Sequence, residues 1–148
     1  ERYHQLKKEL NTRDLFHKNI ISDYYFIKSL IFAEITLPED EFALYKKLFH
    51  IIHQKLPQPD LLIYLYSDIK RLQKNISKRG RDYETKISDD YLAKIHKGYF
   101  NFLSQQNTFP VLILNLSNID FVEQKEDFIK ILVSLGKTYE KGVHRINY

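Results

Sequence analysis

The chain has 148 residues, a formal net charge of +4 and no cysteine, so disulfides, thiolate metal sites and cysteine nucleophiles are excluded. Hydrophobic residues at 43% and aromatics at 14% can fill a core, while 28% charged residues with only four glycines and four prolines argue against disorder. No apolar run approaches the ~20 residues of a membrane helix, and Glu1–His4 lacks the layout of a secretion signal.

Taken in chain order, residues 2–10 read as the end of a helix, and 19–22 (Asn-Ile-Ile-Ser) as a short apolar strand. A helix is expected from about Tyr24 to Ile35. Pro38 with Glu39, Asp40 and Glu41 looks like a helix first turn, because proline is tolerated there and acids complement the dipole. Phe42, Tyr45, Leu48/Phe49, Ile52 and Leu56 then recur at helical spacing, until Pro57 and Pro59 end the helix.

Residues 60–66 (Asp-Leu-Leu-Ile-Tyr-Leu-Tyr) are apolar on both faces, the pattern of a strand buried in a parallel sheet. Ser67 is a good N-cap for a helix carrying Ile69, Leu72 and Ile76, which Gly80 stops. Ser88 caps another helix, with Tyr91, Leu92, Ile95, Tyr99, Phe102 and Leu103 facing inward. Val111–Leu116 is a third buried strand, and a last helix spans about Lys125 to Glu140. Strands alternating with helices predict an α/β fold with a parallel sheet of three strands in one domain, 1–148. The absence of cysteine fits a reducing, cytoplasmic setting.

The charge is concentrated. Residues 70–86 hold seven cations (Lys70, Arg71, Lys74, Lys78, Arg79, Arg81, Lys86) against Asp82 and Glu84, a net +5, which leaves −1 for the rest. A nucleic-acid binder spreads positive charge over a broad face. So local a patch suits a small polyanion such as a triphosphate, and no nucleic-acid partner is expected.

Three stretches could carry chemistry. Arg71, Lys74 and Lys78 share a helix face that leads into Lys78-Arg79-Gly80-Arg81. Cations on such a bend can stabilise the charge that spreads over a transferring phosphoryl group; equally, they suit a solvated helix C-terminus. Asp23, at the end of the first expected strand, with Lys28 and Phe32 beyond it, could meet a sugar hydroxyl, a phosphate and a base, or could be an N-cap with a core phenylalanine. Asn118-Ile119-Asp120-Phe121 follows the third strand and could present backbone groups to a base, or form an ordinary Asx-rich turn. His50 and His53 lie one turn apart without a third ligand, so no metal site is expected on them. No Gly-x-x-x-x-Gly-Lys-Ser/Thr, Gly-x-Ser-x-Gly or Gly-x-Gly-x-x-Gly stretch occurs. Catalysis by this chain alone therefore has no support in its motifs, and the first residue is not Met, which predicts a cut or processed chain.

In their order these pieces resemble the deoxynucleoside kinase family. Ile21-Ser22-Asp23-Tyr24-Tyr25 through Ser29–Ala33 resembles its Asp/Glu-Arg segment and following helix, with Tyr24 standing where the family has arginine. Pro59–Leu65 resembles its "PDL-I-YL" strand, Lys78–Glu84 its Arg-Gly-Arg lid, Ile87–His96 its "YL-KLH" helix, and Asn118–Phe121 its adenine-contacting loop.

The resemblance implies an incomplete P-loop-type parallel sheet. The first strand, P-loop and catalytic carboxylate are expected before residue 1. That first strand is central in the family, so a hole in the sheet is expected. It also implies transfer of the γ-phosphoryl of ATP to the 5′-hydroxyl of a deoxynucleoside, with Mg²⁺ held mostly by residues outside this chain. Arg79 and Arg81 would bind the donor phosphates beside Lys78. Glu84 would contact the 3′-hydroxyl, and Phe32 would stack on the acceptor base near Asp23 and Lys28. Asn118, Asp120 and Phe121 would line the adenine site. A homodimer through helices 24–35 and 39–56 is expected. The rival readings are a thymidylate-type monophosphate kinase, and an inactive dimerisation or scaffold module.

Overall fold

A computed structural model describes residues 20–23 and 25–148, so the helix expected over 2–10 lies outside the described residues. The chain divides into two compact units, Glu1–Gln58 and Pro59–Tyr148.

In the first unit, Ile20–Ser22 forms no strand. Ile20 and Ile21 are exposed, so the apolar run contributes no side chain to a packed sheet. Helix α1 spans Ile27–Thr36 and buries Ile27, Ile31 and Ala33. Helix α2 spans Glu39–His53, with Pro38 at its N-cap and Glu39, Asp40 and Glu41 in its first turn. The Pro38 carbonyl accepts the Phe42 amide at 2.8 Å.

The unit is held by rings: Phe26 stacks on Phe49 with centroids 5.0 Å apart, and Phe49 stacks on His53 at 5.2 Å. Helix α2 stops at His53, short of Leu56. The amides of Lys55 and Leu56 reach only three residues back, to Ile52 and His53, so the helix tightens and ends before Pro57, which has no amide to continue it.

In the second unit, β1 (Leu62–Tyr66), α3 (Ile69–Arg79), a 3₁₀ turn (Asp82–Glu84), α4 (Asp89–Ser104), β2 (Pro110–Asn115), α5 (Lys125–Leu135) and β3 (Gly142–Asn147) follow in order. The three strands form one parallel sheet in the order β1-β2-β3. Three strands were expected, but not these three: 20–22 forms no strand and 142–147 enters. The expected hole is not there either. β1 pairs directly with β2, from Leu62 opposite Val111 to Tyr66 opposite Asn115. The five residues of β1 all find a partner on the six-residue β2, so the two strands satisfy one another's backbone groups without a strand between them.

β2 is the centre. Leu112 and Leu114 are fully buried and cluster with the buried Leu116, Ile119 and Ile131, and Leu61, Leu135, Tyr139, Ile146 and Tyr148 pack around them. Each such leucine removed from water contributes about 1.5–3 kcal/mol. On the other face Tyr64 stacks on Tyr99 at 4.9 Å, and Tyr66 meets His96 and Phe100 at 5.1 and 5.5 Å. β1, expected to be buried on both faces, is an edge strand. Ile63 and Leu65, on the same side of the sheet as Leu112 and Leu114, are exposed.

Two local details set the site. Asp68, rather than the neighbouring Ser67, caps α3: its Oδ1 accepts the Arg71 amide at 2.7 Å. Gly80 ends α3 in the left-handed region (φ 64°), with its amide directed to the carbonyls of Ile76 and Ser77. A side chain at that φ would be strained. Ser88 caps α4 as expected. Helix α5 ends at Leu135, where the Tyr139 hydroxyl donates to the Ser134 carbonyl and the Tyr148 hydroxyl to Ser134 Oγ, both at 2.7 Å.

Candidate phosphate-binding lid

Helix α3 delivers Lys78 and Arg79 to its C-terminal turn, and Gly80 reverses the chain so that Arg81 returns beside them. The next turn brings up Glu84. Arg79 Nε lies 3.3 Å from Glu84 Oε2, and Arg81 Nη1 lies 3.2 Å from Glu84 Oε1. Two guanidiniums thus converge on one carboxylate. The Glu84 side chain is only 12% exposed, whereas those of Arg79 and Arg81 are about half exposed. Glu84 Oε2 is buried and accepts no hydrogen bond of good geometry among the described residues. Glu84 holds the already high pKa of Arg81 higher still, first through its hydrogen bond, with Tyr83 adding to the effect.

The turn is fastened from behind. The Glu84 amide donates to the Arg81 carbonyl at 2.9 Å, and the Glu84 carbonyl accepts the Ile87 amide. Gln73 Nε2 reaches the Ile87 carbonyl and Asp89 Oδ1 at 2.9 and 2.8 Å, tying the segment after the turn back to α3.

Along the same helix runs the loop after β2. Arg71 Nη2 meets Asp120 Oδ2 at 3.1 Å and the Ile119 carbonyl at 3.4 Å, and two turns later Lys78 Nζ meets Glu123 Oε1 at 3.6 Å. Asp120 is otherwise engaged with backbone. Its Oδ1 accepts the amides of Val122 and Glu123, and its own amide donates to Asp127 Oδ2. The Glu123 amide, then that of Val122, and then Arg71 hold the Asp120 carboxyl below its usual range. Asp127 is held low by Lys130 first and by the Asp120 amide second. The start of the loop is joined to the start of α3, because the Asp68 amide donates to Ser117 Oγ at 3.0 Å.

The expected site residues fall into three groups. Arg79, Arg81 and Glu84 come together at the lid. Lys78 joins the loop bearing Asn118, Asp120 and Phe121, through Glu123; Asn118 and Phe121 are exposed there. Asp23, Lys28 and Phe32 belong to the first unit. Asp23 is an exposed bend, and Lys28 Nζ lies 5.7 Å from the centroid of the Phe32 ring. Arg71 was expected on the cationic face of this helix but not as a holder of the loop, and the expected candidates did not include Glu123 or Asp127. For Arg71 with Asp120 and Lys78 with Glu123 the signal is charge complementarity across 45 to 49 residues, and no local pattern carries that.

Among the described residues no three histidine, aspartate or glutamate side chains come together to hold a metal ion. Glu84, Asp120 and Glu123 are committed to arginine, lysine or backbone amides, and no acid cluster forms beside them, so these residues do not fit a Mg²⁺ site. No helix among the described residues is long and apolar enough to cross a membrane.

A parallel α/β sheet with a cationic, glycine-hinged turn on the helix after its first strand is the arrangement of a P-loop-type kinase. The family model for deoxynucleoside kinases matches residues 1–139, and the chain belongs to that family. β3 lies beyond the matched segment. The chain is 36% identical over 135 residues to a deoxyguanosine kinase of Bacillus subtilis, covering 86% of this chain and 65% of that protein. It is 30% identical over 99 residues to a deoxyadenosine/deoxycytidine kinase of the same organism, covering 66% of this chain and 46% of that protein. A deoxyadenosine kinase of Lactobacillus acidophilus is 29% identical over 119 residues, covering 71% of this chain and 55% of that protein. The chain therefore spans about half to two thirds of the length of these relatives.

Proposed function

We propose that this chain is the lid-bearing part of a kinase that transfers the γ-phosphoryl of ATP, with Mg²⁺, to the 5′-hydroxyl of a deoxynucleoside in the cytoplasm. The observation that carries the reading is the convergence of Arg79 and Arg81 across a left-handed glycine. Charge develops on the phosphoryl oxygens in the transition state, and pre-positioned guanidiniums stabilise it where it appears. Lys78 adds a third cation to the same turn. Glu84 supplies a buried acceptor suited to the 3′-hydroxyl of the sugar. Phe32, with Lys28 beside it and Asp23 before it, takes the acceptor base. Asn118, Asp120 and Phe121 border the adenine of the donor, Asp120 by holding the loop's backbone rather than by offering its own carboxylate. The names of the relatives favour a purine deoxynucleoside as acceptor.

The test is direct. The full-length protein is incubated with Mg²⁺-ATP and each of the four deoxynucleosides, and the 5′-monophosphate is measured. Phosphorylation of deoxyguanosine or deoxyadenosine is expected, and failure with all four removes the reading. Faster turnover of dTMP than of thymidine would instead point to a thymidylate-type enzyme.

A homodimer through α1 and α2 is part of the proposal. Helix α2 leaves Leu44, Leu48 and Ile51 at 72%, 54% and 58% exposure, an apolar stripe at helical spacing opposite the buried Phe49. A stripe of that kind suits an isologous helix contact across a two-fold axis. Sedimentation should give twice the chain mass, and Leu48→Glu should halve it.

A further inference from the structure

We propose that Glu84 is an internal competitor for the lid: it holds Arg79 and Arg81 while no polyanion is bound, and releases both to a phosphate chain on binding. This rests on the reading above, that the two arginines bind the donor phosphates.

The geometry sets up a choice between two anions. Each guanidinium faces Glu84 at 3.2–3.3 Å, and neither makes another ion pair among the described residues. Swinging outward to meet a phosphate therefore breaks one ion pair apiece, and Arg81 also leaves its contact with Tyr83. The two ends of the contact differ in freedom. Glu84 is nearly buried, and its turn is tied through Ile87 and Gln73 to α3. The arginine side chains are half exposed, and they flank the hinge at Gly80. The movable partners are the cations.

Electrostatics favours the exchange. A triphosphate offers several charges and many acceptor oxygens, so both guanidiniums can make charge-assisted hydrogen bonds there. Glu84 offers a single charge, and its Oε2 accepts no well-formed hydrogen bond. Release also changes Glu84. A nearly buried carboxylate left without its cations is costly, and the cost falls if a hydroxyl donor arrives. Filling the phosphate site thus prepares Glu84 to accept a hydroxyl, and the two binding events couple through one side chain.

The test uses inorganic tripolyphosphate as the probe, because it carries the phosphate chain without any sugar hydroxyl for Glu84, and calorimetric titration of the full chain. Four proteins are compared: unmodified, Arg79→Ala/Arg81→Ala, Glu84→Gln, and the triple variant. Glu84→Gln should bind roughly three- to tenfold tighter, in keeping with the modest worth of half-exposed ion pairs. The double variant should bind at least tenfold weaker, and the triple variant should show no gain over the double. Glu84→Ala is the second variant should Glu84→Gln fold poorly by circular dichroism. If the double variant binds like the unmodified chain, the arginines are not phosphate ligands and the underlying reading fails. If the double variant is weakened but removal of the carboxylate leaves affinity unchanged or lower, the arginines bind phosphate but Glu84 does not compete, and this proposal fails by itself.

Discussion

Two carboxylates in the second unit each hold an arginine from α3 or its end, and they do so in opposite ways. Asp120 gathers two backbone amides and Arg71, and its own amide is taken by Asp127. Glu84 gathers only side chains, Arg79 and Arg81, and leaves one oxygen without a hydrogen bond. Backbone amides cannot leave an acceptor without unmaking the loop, whereas side chains can. The same pair of residue types is therefore a fastening at Asp120 and a releasable catch at Glu84. An ion pair between a lid cation and an acid says little about function until the other ligands of the acid are counted.

The comparison breaks first on turnover. On the proposed phosphoryl transfer, Arg79→Ala/Arg81→Ala in the full-length protein should lower kcat on the order of 10³-fold, the scale of arginines that neutralise a transferring phosphoryl group. Its melting temperature should stay close to that of the unmodified protein, since both side chains are half exposed. A large fall in melting temperature would make the lid a structural element like the Asp120 loop. The next effect is on stability: Asp120→Ala should lower the melting temperature more than Glu84→Ala does. It strands two loop amides and Arg71, while Glu84→Ala leaves two cations already near water. The reverse order would invert the assignment of fastening and catch.

How much of this was legible in the residues follows from range. β2 announces itself as six consecutive apolar or neutral residues, and α4 by a capping serine followed by inward positions at helical spacing. The lid is legible because its glycine and cations are adjacent. β3 is not, because Gly142–Asn147 offers only Val143 and Ile146 to the core and pairs solely by virtue of lying next to β2. Residues 20–22 err the other way: the apolar run forms no strand, and Ile20 and Ile21 stay exposed. Ser67 and Asp68 are both competent caps, and only the placement of Ser117, which takes the Asp68 amide, singles out the second. The Asp120 fastening is invisible for the same reason, since Arg71 and Asp120 meet only once the sheet is built.

A smaller effect separates the two ends of α3. Asp68 caps its start and touches the Asp120 side of the helix, far from Glu84: eleven residues of helix are about 16 Å long. Asp68→Ala should cost about 1 kcal/mol in chemical denaturation, the usual worth of an N-cap. It should also loosen the Asp120 loop, because the Arg71 amide loses its acceptor, while tripolyphosphate affinity at the lid should change little. If affinity falls as much as stability does, α3 transmits strain along its length and the two knots are not independent.

The smallest effect is in acid, where the fastening should outlast the rest. Burial holds His53 and His96 below their ordinary value of 6.5; His50 adds to the effect at His53, and Asp68 partly offsets it at His96. The unfolded chain then takes up protons that the folded chain resists, so the stability tied to these two histidines is full above about pH 6.5 and declines as pH falls through their folded values. Asp120 has the same sign in a lower window. Its carboxyl is depressed from 3.8, so its contribution is intact above that pH and is lost only as pH falls through the folded value. The backbone amides of Val122 and Glu123, which donate to Oδ1, should therefore keep their chemical shifts by NMR from pH 7 to below pH 3.8, through the range in which the histidines titrate. A midpoint at or above 3.8 for those amides would mean that the backbone does not hold Asp120, which would then be as releasable as Glu84.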